Sequence, residues 1–420
     1  MTTSGDELAA RAAQAARAGR IEEAATLWRQ ALAVDPTNPQ ALFFEGRRRV
    51  EQGDASSAAK MLAQAEAGDK ANADIPLYLA LAQKMQGNLA GALQTIDRAL
   101  AIDPYYFMAL LSKGSLLESM AQPHQAARIY RDALKIAPAP DRLPPAQRGA
   151  YEHAREVVSD NAKALAEHLR AQTAAARAQF GGENFDRFDE ALDILAGVKP
   201  RYVHEPLLMY YPRLPAIPFY DRELFPWLPK LEAATDMVRD ELVGALREDQ
   251  EKFAPYIQFP KHAPVNQWAE LNYSPSWSTY FLWRDGVRQD AACARCPRTA
   301  ALLEELPLAH QQGYGPTAMF STLDARTRIP AHTGSTNARL IVHLPLILPP
   351  DCGFRVGNET REWRMNEGWV FDDSIEHEAW NGSDQVRHIL IFDVWNPLLS
   401  AAEREMICAM MTALNTFNPR

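Results

Sequence analysis

Three histidines in the C-terminal half of the chain have neighbours and a spacing that could bind a metal ion. His332 lies in "AHTGSTNARL", a turn-like run of small and polar residues, and His343 lies in the apolar, β-branched segment that follows. His377 comes after the turn-like "FDDS". A strand histidine by itself is more often a core residue than a ligand, but imidazole is the commonest ligand for iron and zinc. We predict that His332 and His377, on separate strands, share one metal ion.

No acidic residue stands where a common iron site would have its third ligand. In two-histidine, one-carboxylate sites for ferrous iron, Asp or Glu comes two positions after the first histidine, and here that position is Gly334. Asp372 and Asp373 are the alternative carboxylates. Because Asp side chains often bond to their own backbone in turns, we expect turn and capping roles for both.

Arg387 begins the apolar segment "RHILIFDVW". If it points inward, its charge needs an anionic partner, whereas a strand arginine at the surface needs none. The adjacent His388 points to the opposite face and is expected to be structural. By the same alternation, Arg339, Ile341 and His343 share one face of their strand.

The four cysteines do not indicate a second metal or redox site. Cys293 and Cys296 have C-x-x-C spacing, but Cys352 and Cys408 form no second pair, and a structural zinc site needs four ligands. Four scattered cysteines are also too few for a disulfide framework. We expect ordinary thiols.

Short β-strands would position the histidines. From about residue 315 onward, apolar or alternating segments are separated by the turn-like "DARTRIP", "PPDCG", "GNET" and "NEG". Such spacing is typical of a sandwich or small barrel. The predicted strands are "TAMFSTL", "ARLIVHLPLIL", "GFRVG", "REWRM", "GWVFDD" and "VRHILIFDVW".

Composition limits the class of protein. Hydrophobic residues make up 47% and charged residues 23% of the 420 residues, which is a globular profile. The net charge of −9 argues against a general nucleic-acid or anionic-membrane binder. No uninterrupted apolar run approaches the ~18 residues of a membrane span, and the N-terminus has no secretory signal pattern. We therefore expect a cytoplasmic protein that binds neither nucleic acid nor membrane.

A repeat of 34 residues runs through the N-terminal third. Gly19, Gly53 and Gly87 keep this step, as do small residues that would let paired helices approach closely. "DP" at Asp35-Pro36 recurs at Asp103-Pro104, where proline is expected in the first turn of the next helix. The small residues are Ala24, Ala58, Ala92 and Ala126; Ala31, Ala65, Ala99 and Ala133; and Ala12, Gly46, Ala80 and Gly114.

This pattern resembles about four tetratricopeptide (TPR) repeats, whose concave face commonly holds a peptide or protein partner. The predicted domains are a TPR solenoid at residues 1–140, a helical cap or linker at 141–200, and a β-rich domain at 201–420. The proline- and aromatic-rich run "PRYVHEPLLMYYPRLPAIPFYDRELFPWLP" marks the entry into the last of these.

Four C-terminal motifs resemble the aspartyl/asparaginyl β-hydroxylase family of iron(II)- and 2-oxoglutarate-dependent oxygenases. They are "HTGSTNARL", "GFRVGNETREW", "GWVFDDSIEHEAWN" and "VRHILIFDVWNP", and the resemblance covers about residues 205–398. It implies a multidomain α + β protein, with a C-terminal double-stranded β-helix (jelly-roll) and flanking helices. It also implies that water takes the place of a carboxylate at Gly334.

The resemblance implies a role for each candidate side chain. His332 and His377 would bind Fe(II), and His343 would contact the 2-oxoglutarate carboxylate near the metal. Arg387 would pair with the distal carboxylate, for which a guanidinium is well shaped. Ser321 would donate a hydrogen bond to the same carboxylate.

The sequence departs from the family pattern at Ile341. The family often has arginine there, so Arg339 and His343 are the nearest remaining donors on that strand for the cosubstrate or the substrate. Trp283 and Trp380 either line the pocket or fill the core.

The resemblance implies O2-dependent hydroxylation of a C–H bond, at the β-carbon of Asp or Asn in a peptide or protein that the repeats could present. Alternatives are a free amino acid or a lipid acyl chain as substrate. A repeat scaffold with an inactive barrel and a zinc hydrolase are alternatives of other classes.

Overall fold

The computed structural model describes residues 4–417, which divide between Lys199 and Pro200 into two compact units. The first unit is helical, and its consecutive helices pack as antiparallel-type pairs from the N-terminus onward. Its α-helices are α1 (Gly5–Arg17), α2 (Ile21–Val34), α3 (Pro39–Glu51), α4 (Ala55–Gly68), α5 (Asp74–Met85), α6 (Leu89–Ile102), α7 (Phe107–Ser119), α8 (Pro123–Ile136), α9 (Pro145–Ala178) and α10 (Asp186–Ala196).

The small residues of the repeat lie where paired helices touch. Gly46 on α3 leaves room for Leu62 of α4, and a side chain at Gly114 on α7 would overlap the Tyr130 ring of α8. Gly19, Gly53 and Gly87 have positive φ in the turns within the first three pairs. These contacts confirm the predicted helical repeats, since the periodic residues are the ones that the packing requires.

The prediction for proline was wrong. Pro36 and Pro104 lie in the connections before α3 and α7, outside the helices, and Pro39 occupies the first turn of α3 instead. Asp35 and Asp103 are extended residues that end α2 and α6, so "DP" terminates one helix and does not start the next.

The second unit contains antiparallel strands with helices before, between and after them. Its helices are α11 (Leu228–Ala233), α12 (Thr235–Glu248), α13 (Asp290–Arg295), α14 (Pro297–Glu304) and α15 (Ala401–Phe417). Its strands are β1 (Ala254–Pro255), β2 (Trp277–Arg284), β3 (Val287–Arg288), β4 (Ala318–Leu323), β5 (Thr327–His332), β6 (Arg339–Ile347), β7 (Cys352–Val356), β8 (Glu359–Glu362), β9 (Trp369–Phe371), β10 (His377–Asn381) and β11 (Arg387–Trp395).

Two sheets pack against each other in this unit. The larger has the order β1-β2-β4-β11-β6-β9, with β3 beside β2, and the smaller has the order β5-β10-β7-β8. One apolar cluster lies between the larger sheet and helices α11 to α14, and a second lies between the two sheets. This arrangement confirms the α + β prediction and agrees with a jelly-roll.

Alternation along the strands separates the two clusters. On β6, Leu340, Val342 and Leu344 pack toward the helices, whereas Arg339 and Ile341 line a cavity on the opposite face. A shift of one residue would therefore exchange core and cavity, which strongly specifies the register.

Several strands differ from the prediction. β8 (Glu359–Glu362) begins inside the predicted turn "GNET" and ends before Trp363 of the predicted strand "REWRM". "DARTRIP" was expected to be a turn, but Thr327–His332 forms β5, and His377–Asn381 forms β10. The aromatic "WSTYFLWR" of β2 lies before the predicted start of the strand region. The cross-strand partners of β5 and β10 override their polar composition, because β10 pairs on both sides, with β5 and with β7.

Two further expectations can be compared with the structure. Cys293 and Cys296 are buried free thiols that contact the backbone carbonyls of Leu282 and Glu241. Among the helices of residues 4–417, none is both long and apolar enough to cross a bilayer.

Candidate functional site

A cavity of about 340 Å³ opens between the two sheets. It brings together every candidate side chain that the sequence predicted. They are His332, His377, Arg387, Ser321, His343 and Arg339.

The two predicted metal ligands lie side by side. His332 ends β5, His377 begins β10, and the two residues are direct partners in the strand pairing. Their ring centroids are 4.1 Å apart. The Nδ1 atoms of both rings lie within hydrogen-bond distance of backbone carbonyl oxygens, 2.7 Å from Pro330 and 3.0 Å from Ile375.

These contacts with backbone carbonyls determine which nitrogen of each ring carries the proton. A carbonyl oxygen can only accept, so each Nδ1 must carry the proton, which leaves the Nε2 lone pair for a ligand. Burial lowers the pKa of His332, and burial followed by the nearby His332 lowers the pKa of His377 well below its usual value. Both rings are therefore neutral near pH 7, as metal ligands must be.

Among residues 4–417, no third potential metal ligand is grouped with the histidine pair. Within residues 4–417, no group of three His, Cys, Asp or Glu side chains is placed to hold a metal. Gly334 leaves the space where Asp373 lies, and any side chain at 334 would overlap that carboxyl. Burial, and then the charge of Asp372, raises the pKa of Asp373 to about 8.

Arg387 is a buried cation that lacks a counter-charge within the described part of the chain. It is 1% exposed, it forms no ion pair among the described residues, and its Nε has no hydrogen-bond partner. Its guanidinium carbon lies 5.0 Å from the centre of the Trp363 ring. Burial lowers its pKa to about 10, so the group is still charged at neutral pH. A buried, unpaired guanidinium facing a cavity is well suited to an anionic ligand.

His343 and Ser321 lie on the walls of the same cavity. The His343 ring is buried against Phe354 and Phe371, and its Nδ1 has no hydrogen-bond partner. Burial, and then the charge of Arg387, lowers the pKa of His343 well below its usual value. Ser321 on β4 accepts a hydrogen bond of 3.2 Å from Trp277 Nε1, which leaves its hydroxyl proton available for another acceptor.

Arg339 also lines the cavity, but Asp393 already pairs with it. Its Nη1 lies 2.6 Å from an Asp393 carboxylate oxygen and donates to the Tyr314 carbonyl at the same distance. Asp393 thus offsets the charge of Arg339, unlike that of Arg387, although the Nε of Arg339 also has no hydrogen-bond partner among the described residues.

The site is also lined by aromatic residues that the sequence analysis did not single out. The Trp268 ring is centred 4.9 Å from the His332 ring, and Trp277 lies beyond it. Trp283 belongs to the core beside the helices, and Trp380 packs over Gly353, so neither is among the lining residues.

An extended segment before α11 holds the loops next to His332 and His377. Leu207 N donates to Gly334 O at 2.9 Å, and Glu205 N donates to Ser374 O at 2.7 Å. His204, whose side chain is 6% exposed, has its Nδ1 3.2 Å from Asp372 Oδ2. Ser374 also donates to Asp372, so Asp372 has the turn role expected from the sequence.

Replacing His204 by glutamine is expected to cost more stability at pH 5.5 than at pH 9. Burial alone would lower the pKa of His204, but the nearby Asp372 carboxylate and the backbone carbonyls of Leu214 and Pro215 raise it overall. A raised pKa in the folded state adds stability that is complete below the usual histidine pKa and is lost as the pH rises through the folded-state value. Urea unfolding followed by tryptophan fluorescence at several pH values measures the difference.

His388→Gln is the matched control. Burial, and then the charge of Arg387, lowers the pKa of His388 to about 4, so its variant should cost less at low pH, the opposite trend. A His204→Gln cost that stays constant or grows with pH would contradict the pairing with Asp372.

Comparison with known proteins agrees with the motifs. Residues 232–397 match the family model described as aspartyl/asparaginyl beta-hydroxylase, and residues 49–111 match a tetratricopeptide repeat. The aspartyl/asparaginyl beta-hydroxylase of Mus musculus is 24% identical over 93% of this chain and 54% of that protein. The chain thus spans about half the length of that relative.

A second relative is named for a different substrate. The ornithine lipid ester-linked acyl 2-hydroxylase of Rhizobium tropici is 33% identical over 47% of this chain and 67% of that protein. Among solved structures, a crystal structure of the MamA protein is 16% identical over 47% of this chain and 94% of that chain, with a TM-score of 0.31.

Proposed function

Because this chain belongs to the aspartyl/asparaginyl β-hydroxylase family, we propose that it is an iron(II)- and 2-oxoglutarate-dependent hydroxylase. One observation carries the proposal: a neutral histidine pair and an unpaired, buried arginine open into one cavity. The pair has the lone pairs that a ferrous ion needs, and the arginine has the charge that a dicarboxylate needs.

The donor set fits both groups. His332 and His377 would hold Fe(II), a metal that imidazole suits. Arg387 and Ser321 would hold the distal carboxylate of 2-oxoglutarate, and His343 would contact the carboxylate near the metal. The unsatisfied Nε of Arg387 and Nδ1 of His343 support this assignment, because buried polar atoms normally have partners.

The protein itself would orient the metal-binding rings and exclude water from the site. Backbone carbonyls fix the tautomer of each histidine, and Trp268, Trp277 and Phe371 keep water from the walls beside them. Bound iron, with 2-oxoglutarate and O2, would supply the oxidising power for hydroxylation of a C–H bond.

The relatives suggest two targets. One is the β-carbon of Asp or Asn, in a peptide or protein, and the other is an acyl chain. The TPR repeats favour a polypeptide partner, for which a groove of about 190 Å³ along α5, α7 and α9 offers both apolar and polar contacts. It is lined by residues such as Leu81, Lys84, Met108, Ser115 and His153.

The test is substrate-free turnover. The purified full chain with Fe(II), ascorbate, O2 and 2-oxoglutarate should form succinate slowly, because such sites turn over without substrate. Omitting iron or oxygen should stop succinate formation.

Two results would contradict the proposal. Hydrolytic activity that requires zinc and persists without oxygen would indicate a hydrolase. Binding of 2-oxoglutarate and iron without any succinate would indicate a binding protein with an inactive barrel.

A further inference from the structure

The cavity has little to offer a substrate carboxylate. If 2-oxoglutarate takes Arg387, the remaining guanidinium on the walls is that of Arg339. Arg339 already has Asp393 at 2.6 Å, and its side chain is 11% exposed. The Nε of Arg339 has no hydrogen-bond partner among the described residues, but a substrate anion that reached it would lie beside this buried carboxylate and be repelled by it.

Two acidic side chains also line the cavity, and neither offers a positive charge to a substrate anion. Asp373 lies over Gly334, near the histidine pair, and lines the cavity. Asp285 lies at the rim, where its side chain is 64% exposed and 3.9 Å from Arg284. Neither side chain carries a positive charge that could pair with an anion, and water and Arg284 screen the outer one.

The remaining walls near the histidines are apolar. Ile341 lies on β6 between Arg339 and His343, on the face toward the cavity, and its strand partners are Asp393 and Phe371. Further aliphatic contacts come from three strands, and the rim carries two exposed apolar side chains. These residues are Met319, Ile329 and Ile391 on the walls, and Leu207 (79% exposed) and Tyr256 (40% exposed) at the rim.

We propose that the substrate group held beside the histidine pair is an uncharged aliphatic chain, and that Ile341 sets this preference. The inference rests on the function proposed above, since Arg387 is unavailable only if 2-oxoglutarate occupies it. An apolar wall stabilises an aliphatic chain by removing it from water and gives nothing to a carboxylate that must lose its hydration. This aliphatic group could belong to an acyl ester or to an apolar side chain of a polypeptide.

The first test compares three small probes of matched shape. The full chain is loaded with Mn(II), which prevents turnover, and with saturating 2-oxoglutarate, which occupies Arg387. Binding of hexanamide, hexanoate and hexylamine is then followed by the fluorescence of Trp268 and Trp277 at the cavity. Hexanamide should bind at least about tenfold more tightly than either charged probe, a ratio that one unmet charge can produce.

The binding results test the aliphatic preference and the proposed function separately. Equal or tighter binding of hexanoate or hexylamine would overturn the preference, and so would 2-oxoglutarate binding without uptake of any probe. If 2-oxoglutarate itself fails to bind, the proposed function falls, and this inference falls with it.

A second experiment identifies which kind of molecule carries the aliphatic group. With Fe(II) and air, methyl octanoate and two peptides that differ only in a central Leu or Asp are compared as stimulators of succinate formation. Stimulation by the ester indicates an acyl substrate, and stimulation by the Leu peptide indicates a polypeptide side chain. Stimulation by the Asp peptide alone would overturn the proposal, and if none stimulates, the probe binding decides.

Ile341→Arg tests the residue, with Ile341→Leu as the uncharged control. The arginine variant should move the hexanamide-to-hexanoate ratio by about tenfold or more toward hexanoate, and the leucine variant should keep the wild-type ratio. An unchanged ratio in a folded Ile341→Arg protein would show that Ile341 does not set the preference. The wild-type comparison stands even if this variant fails to fold.

Discussion

Replacing Arg387 by methionine is expected to weaken 2-oxoglutarate binding strongly while the second unit stays at least as stable as in the wild-type chain. The guanidinium is buried without a counter-ion among residues 4–417, so the folded protein bears its desolvation cost and gains no ion pair there. Loss of two charge-assisted hydrogen bonds, each worth about 1.5–3 kcal/mol, should raise the Kd of 2-oxoglutarate by at least about 100-fold. Thermal unfolding with and without 2-oxoglutarate measures both effects.

Arg355→Met is the control with the opposite outcome. Arg355 pairs with Glu376 at 2.8 Å and Glu378 at 2.7 Å, and it does not line the cavity. Its loss should lower stability by about 1–3 kcal/mol, because Glu378 is partly buried, and should leave the stabilisation by 2-oxoglutarate intact. Tryptophan fluorescence suits both variants, since eight of the nine tryptophans lie in the second unit. An Arg387→Met protein that 2-oxoglutarate still stabilises fully would remove Arg387 from the site.

The helical repeats could be predicted from the sequence because their packing is local. Each small residue, such as Gly46 or Gly114, faces the next helix of its own pair, so the contact repeats with the period of the chain. The strands were harder. β5 and β10 are short and polar, and their partners come from distant parts of the chain. Their extended form is set by cross-strand contacts that no local pattern records.

In the site, too, residues within local motifs could be predicted, whereas contacts between residues far apart in sequence could not. The sequence motifs pointed to His332, His377 and Arg387, which do line one cavity. The pairing of Arg339 with Asp393 could not be predicted, because it joins neighbouring strands that are 54 residues apart in sequence. The segment that holds Gly334 and Ser374 in place was also missed, since its contacts are made by backbone groups, which have no sequence signature.

Removing either histidine of the pair is expected to cost metal binding without unfolding the protein. Both rings are neutral and donate from Nδ1 to the backbone, so each offers one lone pair, and no third ligand is placed to replace a lost one among the described residues. Substitution of partners outside the ligand shell of metal sites lowers affinity by about 10–100-fold, so loss of a direct ligand should exceed that range. Calorimetric titration of His332→Ala and His377→Ala with Co(II) measures it.

Two further variants separate ligands from neighbours. His388 lies on the opposite face of β11, where its Nδ1 is 2.9 Å from Thr322 Oγ1, so His388→Gln should bind Co(II) as the wild type does. Asp373→Asn should also stay within a few-fold of the wild type, because Asp373 belongs to no metal-binding group of the described residues. If Asp373→Asn loses Co(II) as completely as His377→Ala, the carboxyl over Gly334 is a direct ligand, and the site has three protein ligands. If only the histidine variants lose it, two imidazoles suffice.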